Sequence, residues 1–232
     1  MLTKGITVVS VAAVRSEPSH RAEMISQLLY GESVDILRED NSFVYIRMHF
    51  DGYEGWVSRL QITPVTDEVF AGRTVAVLET HYLQREDILL SAGSEVPAEV
   101  AEQKKMNLTI KETAETFLGV PYLWSGRSFF GLDCSGFVQL VYKLHGFTLP
   151  RDAAEQAKMG NVLSFVEESK SGDLAFFEDE EGTITHVGLM LDQQKIIHAY
   201  GKVRIDQLDS TGIYNSDENR HTHKLRFLRS VL

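Results

Sequence analysis

An α+β protein in two parts is the architecture that this sequence predicts, with a small β-barrel first and a domain of helices followed by antiparallel strands after it. Three observations predict it. Short apolar runs separated by turn residues at intervals of roughly ten positions fill the N-terminal part. Near residue 105 the pattern changes to apolar residues at helical spacing, with glycines at the ends of the runs. Beyond Asp173 the chain alternates back into strands.

Ile6, Val8 and Val9 open a strand that Val11 and Val14 continue. Met24, Ile25, Leu28 and Leu29 precede a Gly31 turn, and Val34–Leu37 and Phe43–Met48 follow. Asp51-Gly52 marks a hairpin turn before Tyr53 and Gly55-Trp56-Val57. Residues 66–105 hold candidate strands at Val75–Leu78 and Ile88–Leu90, a turn at Ser91–Ser94 and a polar, linker-like stretch from Pro97 to Lys105. The expected division is therefore 1–65, 66–105 and 106–232. In the last part Thr109 and Glu112 can form a capping box, Ile110, Ala114 and Phe117 fall at helical spacing, and Gly119 stops the helix. A second helix opens at Cys134, with Phe137, Leu140, Val141 and Leu144 as its apolar face and Gly146 at its end. Strands are expected at Asp173–Phe177, His186–Leu191, Lys195–Tyr200 and Val203–Leu208.

The chain has 232 residues, 43% of them hydrophobic, enough for two compact cores. Its formal net charge of −10, with no run of Lys or Arg, argues against nucleic acid or an anionic membrane as a partner. No apolar stretch reaches the roughly 18 residues of a membrane-spanning helix. The N-terminus lacks a basic segment followed by a long apolar core, so a cytoplasmic location is expected. A single cysteine excludes an intrachain disulfide and a Cys-rich zinc site.

That cysteine, Cys134, follows Asp133 at the start of the second helix, where unpaired N–H groups and partial positive charge stabilise a thiolate. Such a position, especially beside a histidine, lowers a Cys pKa from about 8.5 to roughly 3.5–7.5. The helix pattern alone equally allows a buried, inert cysteine three residues ahead of Phe137 on the apolar stripe. His186 opens one apolar strand and His198 closes the next. A hairpin would bring the two together as a base and its orienting partner. The other six histidines have no such context. Zinc is the competing use of one Cys and two His, but the gaps, 186 − 134 = 52 and 198 − 186 = 12, are unlike close-set ligand spacings.

Taken together, Gly119-Val120-Pro121-Tyr122-Leu123-Trp124, Gly126-Arg127-Ser128 and Asp133-Cys134-Ser135-Gly136-Phe137 resemble the nucleophile region of the NlpC family. Ser171–Phe177, Thr185–Met190 and Ile197-His198-Ala199 resemble, in the same order, the family's following strand, base strand and third-residue strand. The N-terminal pattern around Arg15-Ser16-Glu17-Pro18 and Asp51–Val57 resembles bacterial SH3-like domains. The resemblance implies a papain-like α+β peptidase domain behind an SH3-like barrel. It implies Cys134 as nucleophile, His186 as base and His198 as orienter, and cleavage of γ-D-glutamyl bonds in murein peptides, with no metal or cofactor. One subgroup acts on recycled peptides, between D-Glu and the diamino acid. By that likeness Glu17, Tyr53, Trp124, Asp133, Ser135 and Asp152 line the substrate pocket, with Glu17 and one of the aspartates facing a free N-terminal L-Ala. Ala153 stands where some members have Ser. An amidase or acyltransferase with the same Cys/His order, or a non-catalytic wall-binding module, are the alternative functions.

Overall fold

The computed structural model describes residues 3–66, 73–75, 82–85, 88–97 and 108–231. The N-terminal strands are β1 Thr3–Thr7, β2 Val11–Arg15, β3 Met24–Leu29, β4 Ser33–Asp40, β5 Phe43–Met48, β6 Glu54–Ser58 and β7 Ile62–Pro64. They form one antiparallel sheet in the order β3-β2-β6-β5-β4-β1-β7. The stretch read as one strand from Ile6 to Val14 is two, because the chain bends at Val9 and Ser10 and β1 and β2 pair with different neighbours. Alternate residues, including Ala12, Val14, Leu28, Val34, Val44, Ile46 and Val57, fill the core of this sheet. The turns fall at Gly31 and Gly52, both at positive φ (75° and 76°).

The middle segment gives β8 Arg73–Val75, β9 Tyr82–Arg85, β10 Ile88–Ser91 and β11 Glu95–Pro97. β10 matches its expected strand; the rest of Val75–Leu78 and most of the linker-like stretch lie outside the described residues. The Ser91–Ser94 turn is wedged between the two larger parts. A Cβ on Gly93, itself at φ 87°, would come within 2.5 Å of Leu140 and 3.1 Å of Leu29.

In the C-terminal part the capping box forms as expected, opening α1 Ile110–Glu115. A short hairpin, β12 Arg127–Ser128 and β13 Gly131–Leu132, leads to α2 Cys134–Leu144. After α3 Ala153–Gln156 come β14 Asn161–Leu163, β15 Leu174–Glu178, β16 Ile184–Met190, β17 Lys195–Tyr200, β18 Lys202–Leu208, β19 Gly212–Asn215 and β20 Arg220–Ser230. β20 pairs with β15 on one side and β19 on the other, so β15 to β20 close into a six-stranded barrel.

Each barrel strand has two faces. Phe176, Val187, Leu189, Ile197, Ala199 and Val203 point outward and pack with α2. Phe177, Met190, Ile196, Leu208, Ile213 and Leu228 fill the interior. Every residue of α2 is buried. Its apolar face meets the barrel, as the spacing predicts, and its polar face meets the first domain. There Gln139 Nε2 donates to Asp51 at 2.8 Å, and Lys143 Nζ reaches Glu32 at 2.5 Å. Arg127 Nη1 donates to the same Glu32 carboxylate at 2.7 Å. No described helix is long and apolar enough to cross a membrane.

Candidate active site

Asp133 caps α2, its Oδ1 accepting the Gly136 N–H at 2.6 Å, so Cys134 occupies the first helical position. The Cys134 sulfur accepts the backbone N–H groups of Val187 and Ser135. That contact sets it against β16 beside His186. Only 8% of Cys134 is exposed. Burial, with Asp133 adding to it, pushes the thiol up to about 12, against the pull of those N–H groups and Arg151. The lowered pKa expected from the helix start is therefore not what the folded site produces. Desolvation and an adjacent carboxylate outweigh the helix terminus.

His186 Nε2 lies 2.8 Å from His198 Nδ1, and the rings meet edge-on. The register explains the meeting. Leu189 pairs with Ile197, and continuing that antiparallel register sets His198 opposite Gly188. A Cβ on Gly188 would lie 2.9 Å from the His198 Cβ, so glycine makes the room through which the ring reaches its diagonal neighbour His186. Both histidines share the inward parity of Met190 and Ile196 and sit at one end of the barrel interior. Their direct contact leaves no space for a metal ion between them, and among the described residues no cluster suited to a metal stands elsewhere.

Two further residues complete this end of the barrel. Asp206 on β18 accepts from His198 Nε2 at 3.0 Å and is held by Arg204 at 2.6 and 2.9 Å. His223 on β20 stacks on His186 at 4.1 Å with an interplanar angle of 27°. His223 thus has a context that the sequence concealed: β20 has no clean alternation, and only barrel closure brings it to β16. Burial holds His186 well below its ordinary value, with His198 and His223 adding to it. Burial also lowers His198, against the upward pull of Asp206. His223 falls to about 4, chiefly through burial. Burial would raise Asp206, but His198 and Arg204 bring it below the usual carboxylate range. Burial thus favours the neutral forms of both Cys134 and His186 in the substrate-free site.

The expected pocket residues surround this centre unevenly. Asp133 is spent: Arg151 clamps it at 2.6 and 3.1 Å and also donates to Ser135 Oγ at 2.9 Å. Arg151 was not singled out in the sequence, although it directly precedes Asp152. Asp152 sits at the N-cap of α3 yet makes no capping bond, so its carboxylate stays available. The Tyr53 hydroxyl of the first domain approaches Asp152 Oδ1 at 3.5 Å. Burial and the Asp152 charge raise that hydroxyl to about 12, keeping it protonated. Trp124 is 63% exposed, with its Nε1–H donating to Glu23 in the β2–β3 loop at 3.0 Å. Glu17 is exposed on that same loop, with no side-chain partner among the described residues. The structure thus brings Tyr53 to Asp152 and Trp124 to the loop of Glu17. It records no contact of Glu17 with either aspartate.

A buried thiol at a helix start, set against a strand whose histidine is held by a second histidine, defines a cysteine peptidase of papain-like fold. The chain belongs to the NlpC/P60 family. The NlpC/P60 family model matches residues 119–219, and the model of the bacterial dipeptidyl-peptidase SH3 domain matches residues 14–62. A gamma-D-glutamyl-L-lysine dipeptidyl-peptidase of Bacillus subtilis (strain 168) is 32% identical over 213 residues, covering 75% of this chain and 71% of the relative. Dipeptidyl-peptidase 6 of Lysinibacillus sphaericus is 24% identical over 88% of this chain and 91% of its own length. A crystal structure of an NlpC/P60 family protein from Bacillus cereus ATCC 10987 superposes with a TM-score of 0.81, covering 99% of this chain and all of that one. At 21% identity, that likeness speaks for the fold.

Proposed function

We propose that this cysteine peptidase cleaves short murein peptides between γ-D-Glu and the diamino acid, and selects those with a free N-terminal L-Ala. The relatives' names support the bond. The observation that carries the selection is the approach of Tyr53, from the first domain, to the unspent Asp152 beside the nucleophile helix at 3.5 Å. The first domain then walls one end of the cleft.

In this reading Cys134 attacks the γ-carbonyl of D-Glu while its proton passes to His186, which His198 orients. The oxyanion is held by the first N–H of α2, which helix geometry leaves unpaired. The Tyr122 hydroxyl joins it. Burial raises that hydroxyl to about 12, with Cys134 and Asp133 contributing, so it stays a donor near the thiol. His186 returns its proton to the leaving amine, and water releases the dipeptide from the thioester. Asp152 and Glu17 face the L-Ala ammonium, Tyr53 donates to Asp152 or the substrate, and Trp124 flanks the chain. Asp133 and Ser135 act through Arg151, which fixes the helix start. A peptide already freed from glycan is the substrate of murein recycling, and a cytoplasmic setting accords with it.

The test compares kcat/KM for L-Ala-γ-D-Glu-L-Lys with its N-acetylated form, in wild type and in Glu17→Ala. Acetylation removes the charge and adds bulk at the wall, so the wild type should lose at least about 10²-fold, because the charge-assisted contact with Asp152 is lost and the acyl group meets the wall. Glu17→Ala should narrow the difference. Equal rates for the two peptides in the wild type would return the first domain to a tethering role.

A further inference from the structure

Asp206 is buried inside the barrel end, and the reaction as described gives it no task. Its Oδ2 accepts from His198 Nε2 at 3.0 Å and from Arg204 Nε at 2.6 Å, and its Oδ1 accepts from Arg204 Nη2 at 2.9 Å. Arg204 is anchored in turn by Asn215 Oδ1 at 3.1 Å and Asp217 at 2.9 Å. A carboxylate gripped by both arms of a guanidinium is ionised and can only accept hydrogen bonds. The hydrogen between Asp206 and His198 therefore belongs to His198 Nε2.

The rest follows by counting hydrogens. A neutral His198 that carries hydrogen on Nε2 has a bare Nδ1. That Nδ1 lies 2.8 Å from His186 Nε2, so His186 is the donor there. His186 then holds its one hydrogen on Nε2 and keeps a lone pair on Nδ1. This is the ring nitrogen left to the thiol, whose sulfur rests on the N–H of Val187, the next residue in the chain. The opposite tautomer of His198 would force hydrogen onto His186 Nδ1 and block it as a base.

We propose that Asp206, clamped by Arg204, is a positioning residue that sets the tautomers of both histidines and so keeps His186 Nδ1 bare for the proton of Cys134. The inference rests on the proposed roles of Cys134 and His186. When the thiol attacks, its proton moves to His186 Nδ1 and makes an imidazolium. The Nε2 hydrogen stays donated to His198, and no proton reaches Asp206. The Asp206 charge, passed on through the His198 dipole, steadies that imidazolium. The groups facing His186 are Cys134 from α2, Phe177 from β15, His198 from β17 and His223 from β20. Those facing His198 are Asp206 and Arg204 from β18, Tyr200 from its own strand, His186 and His223. Asp206 is the negative charge that faces His198, and it reaches His186 only through His198 and His223.

The experiment uses full-length protein labelled with nitrogen-15 histidine, and alkylation of Cys134 by iodoacetamide, unambiguous because the chain has one cysteine. At neutral pH the wild-type spectrum should show hydrogen on Nε2 of both His186 and His198. In Asp206→Ala, His198 should populate both tautomers. Alkylation and kcat should each fall by about 10²-fold, less than the roughly 10⁴-fold known for an aspartate that touches its base directly, while KM stays within about threefold. The near-isosteric Asp206→Asn, whose amide can also donate to His198 Nε2 and so admit the wrong tautomer, should fall at least as far, with the acid limb of kcat/KM moved to lower pH, since losing the negative charge makes the imidazolium harder to form. Hydrogen on Nδ1 of His198 in the wild type would overturn the proposal. So would alkylation of both variants within about twofold of wild type. Neither readout needs a murein peptide, so a wrong substrate assignment would leave both legible.

Discussion

Replacing Glu32 by Gln tests how the two domains are held together. Glu32 belongs to the first domain, but its carboxylate accepts from Arg127 at 2.7 Å and Lys143 at 2.5 Å, and all three side chains are at most 1% exposed. Burial alone would raise the carboxyl, yet the two cations win and bring it from 4.5 down to about 2. Such a depression corresponds to about 3 kcal/mol of stability at neutral pH, the scale of the roughly 3–5 kcal/mol lost when one partner of a buried ion pair is removed. Because the folded value is depressed, this stability is present above about pH 4.5 and is lost as the pH falls toward 2. Urea unfolding of wild type and Glu32→Gln should differ by about 3 kcal/mol at pH 7 and by roughly half of that or less at pH 3. Adding Lys143→Met should recover part of the loss by removing one stranded cation. A difference below about 1 kcal/mol at pH 7, or one that does not shrink by pH 3, would refute the cluster as the electrostatic link between the domains.

Other outcomes follow from the site. Cys134→Ala should abolish turnover with an unchanged circular-dichroism spectrum, and residual wild-type rate would remove the cysteine from the chemistry. His186→Ala should cost at least about 10³-fold in kcat. His198→Gln should keep measurable activity, since an amide oxygen still accepts the His186 N–H; a Gln variant as inactive as Cys134→Ala would reverse the role of His198. Gly188→Ala puts a methyl 2.6 Å from Ile196 Cδ1 and 2.9 Å from the His198 Cβ. It should lower kcat more than it lowers thermal stability, and a steady-state assay beside a melting curve decides it.

What the sequence made legible was local. The capping box at Thr109 and Glu112, the helix opening at Cys134, the turns at Gly31 and Gly52 and the strand bearing His198 all stand where spacing put them, because each depends on neighbours a few residues apart. The parts that escaped are long-range. His223 reaches the histidine pair only because β20 returns to close the barrel, and no period in the sequence encodes that return; Asp206 lies nearer, diagonal to His198 across the β17–β18 hairpin, but its role shows only in the hydrogen bonds it makes. The state of the thiol escapes the sequence for a similar reason: the helix start is visible, whereas the burial that raises the thiol is a tertiary fact. Asp133 matched a pocket position by resemblance, but 18 residues later Arg151 supplies the cation that occupies it.

The polar face of α2 shows why the two domains act as one catalytic body. An amphipathic helix on a barrel normally presents its polar side to water. Here Gln139 and Lys143, one turn apart on that side, are buried, and their hydrogen bonds run to Asp51 and Glu32 of the first domain. Gln139 Oε1 also accepts from Arg127 at 3.0 Å, and the Arg127 N–H donates to Gln27 at 2.9 Å. Gln139 Nε2 keeps the Leu149 carbonyl at 2.9 Å and Lys143 keeps Glu95 at 3.1 Å, but both are satisfied in full only when the first domain is in place. With the first domain removed, each would lose one partner, at a cost of up to about 1–3 kcal/mol where the freed group stays buried. A domain attached merely as a tether would need none of these bonds. The same docking carries Tyr53 to Asp152 and the Glu23 loop to Trp124, so the proposed pocket wall rests on the contacts that also hold the Cys134 helix.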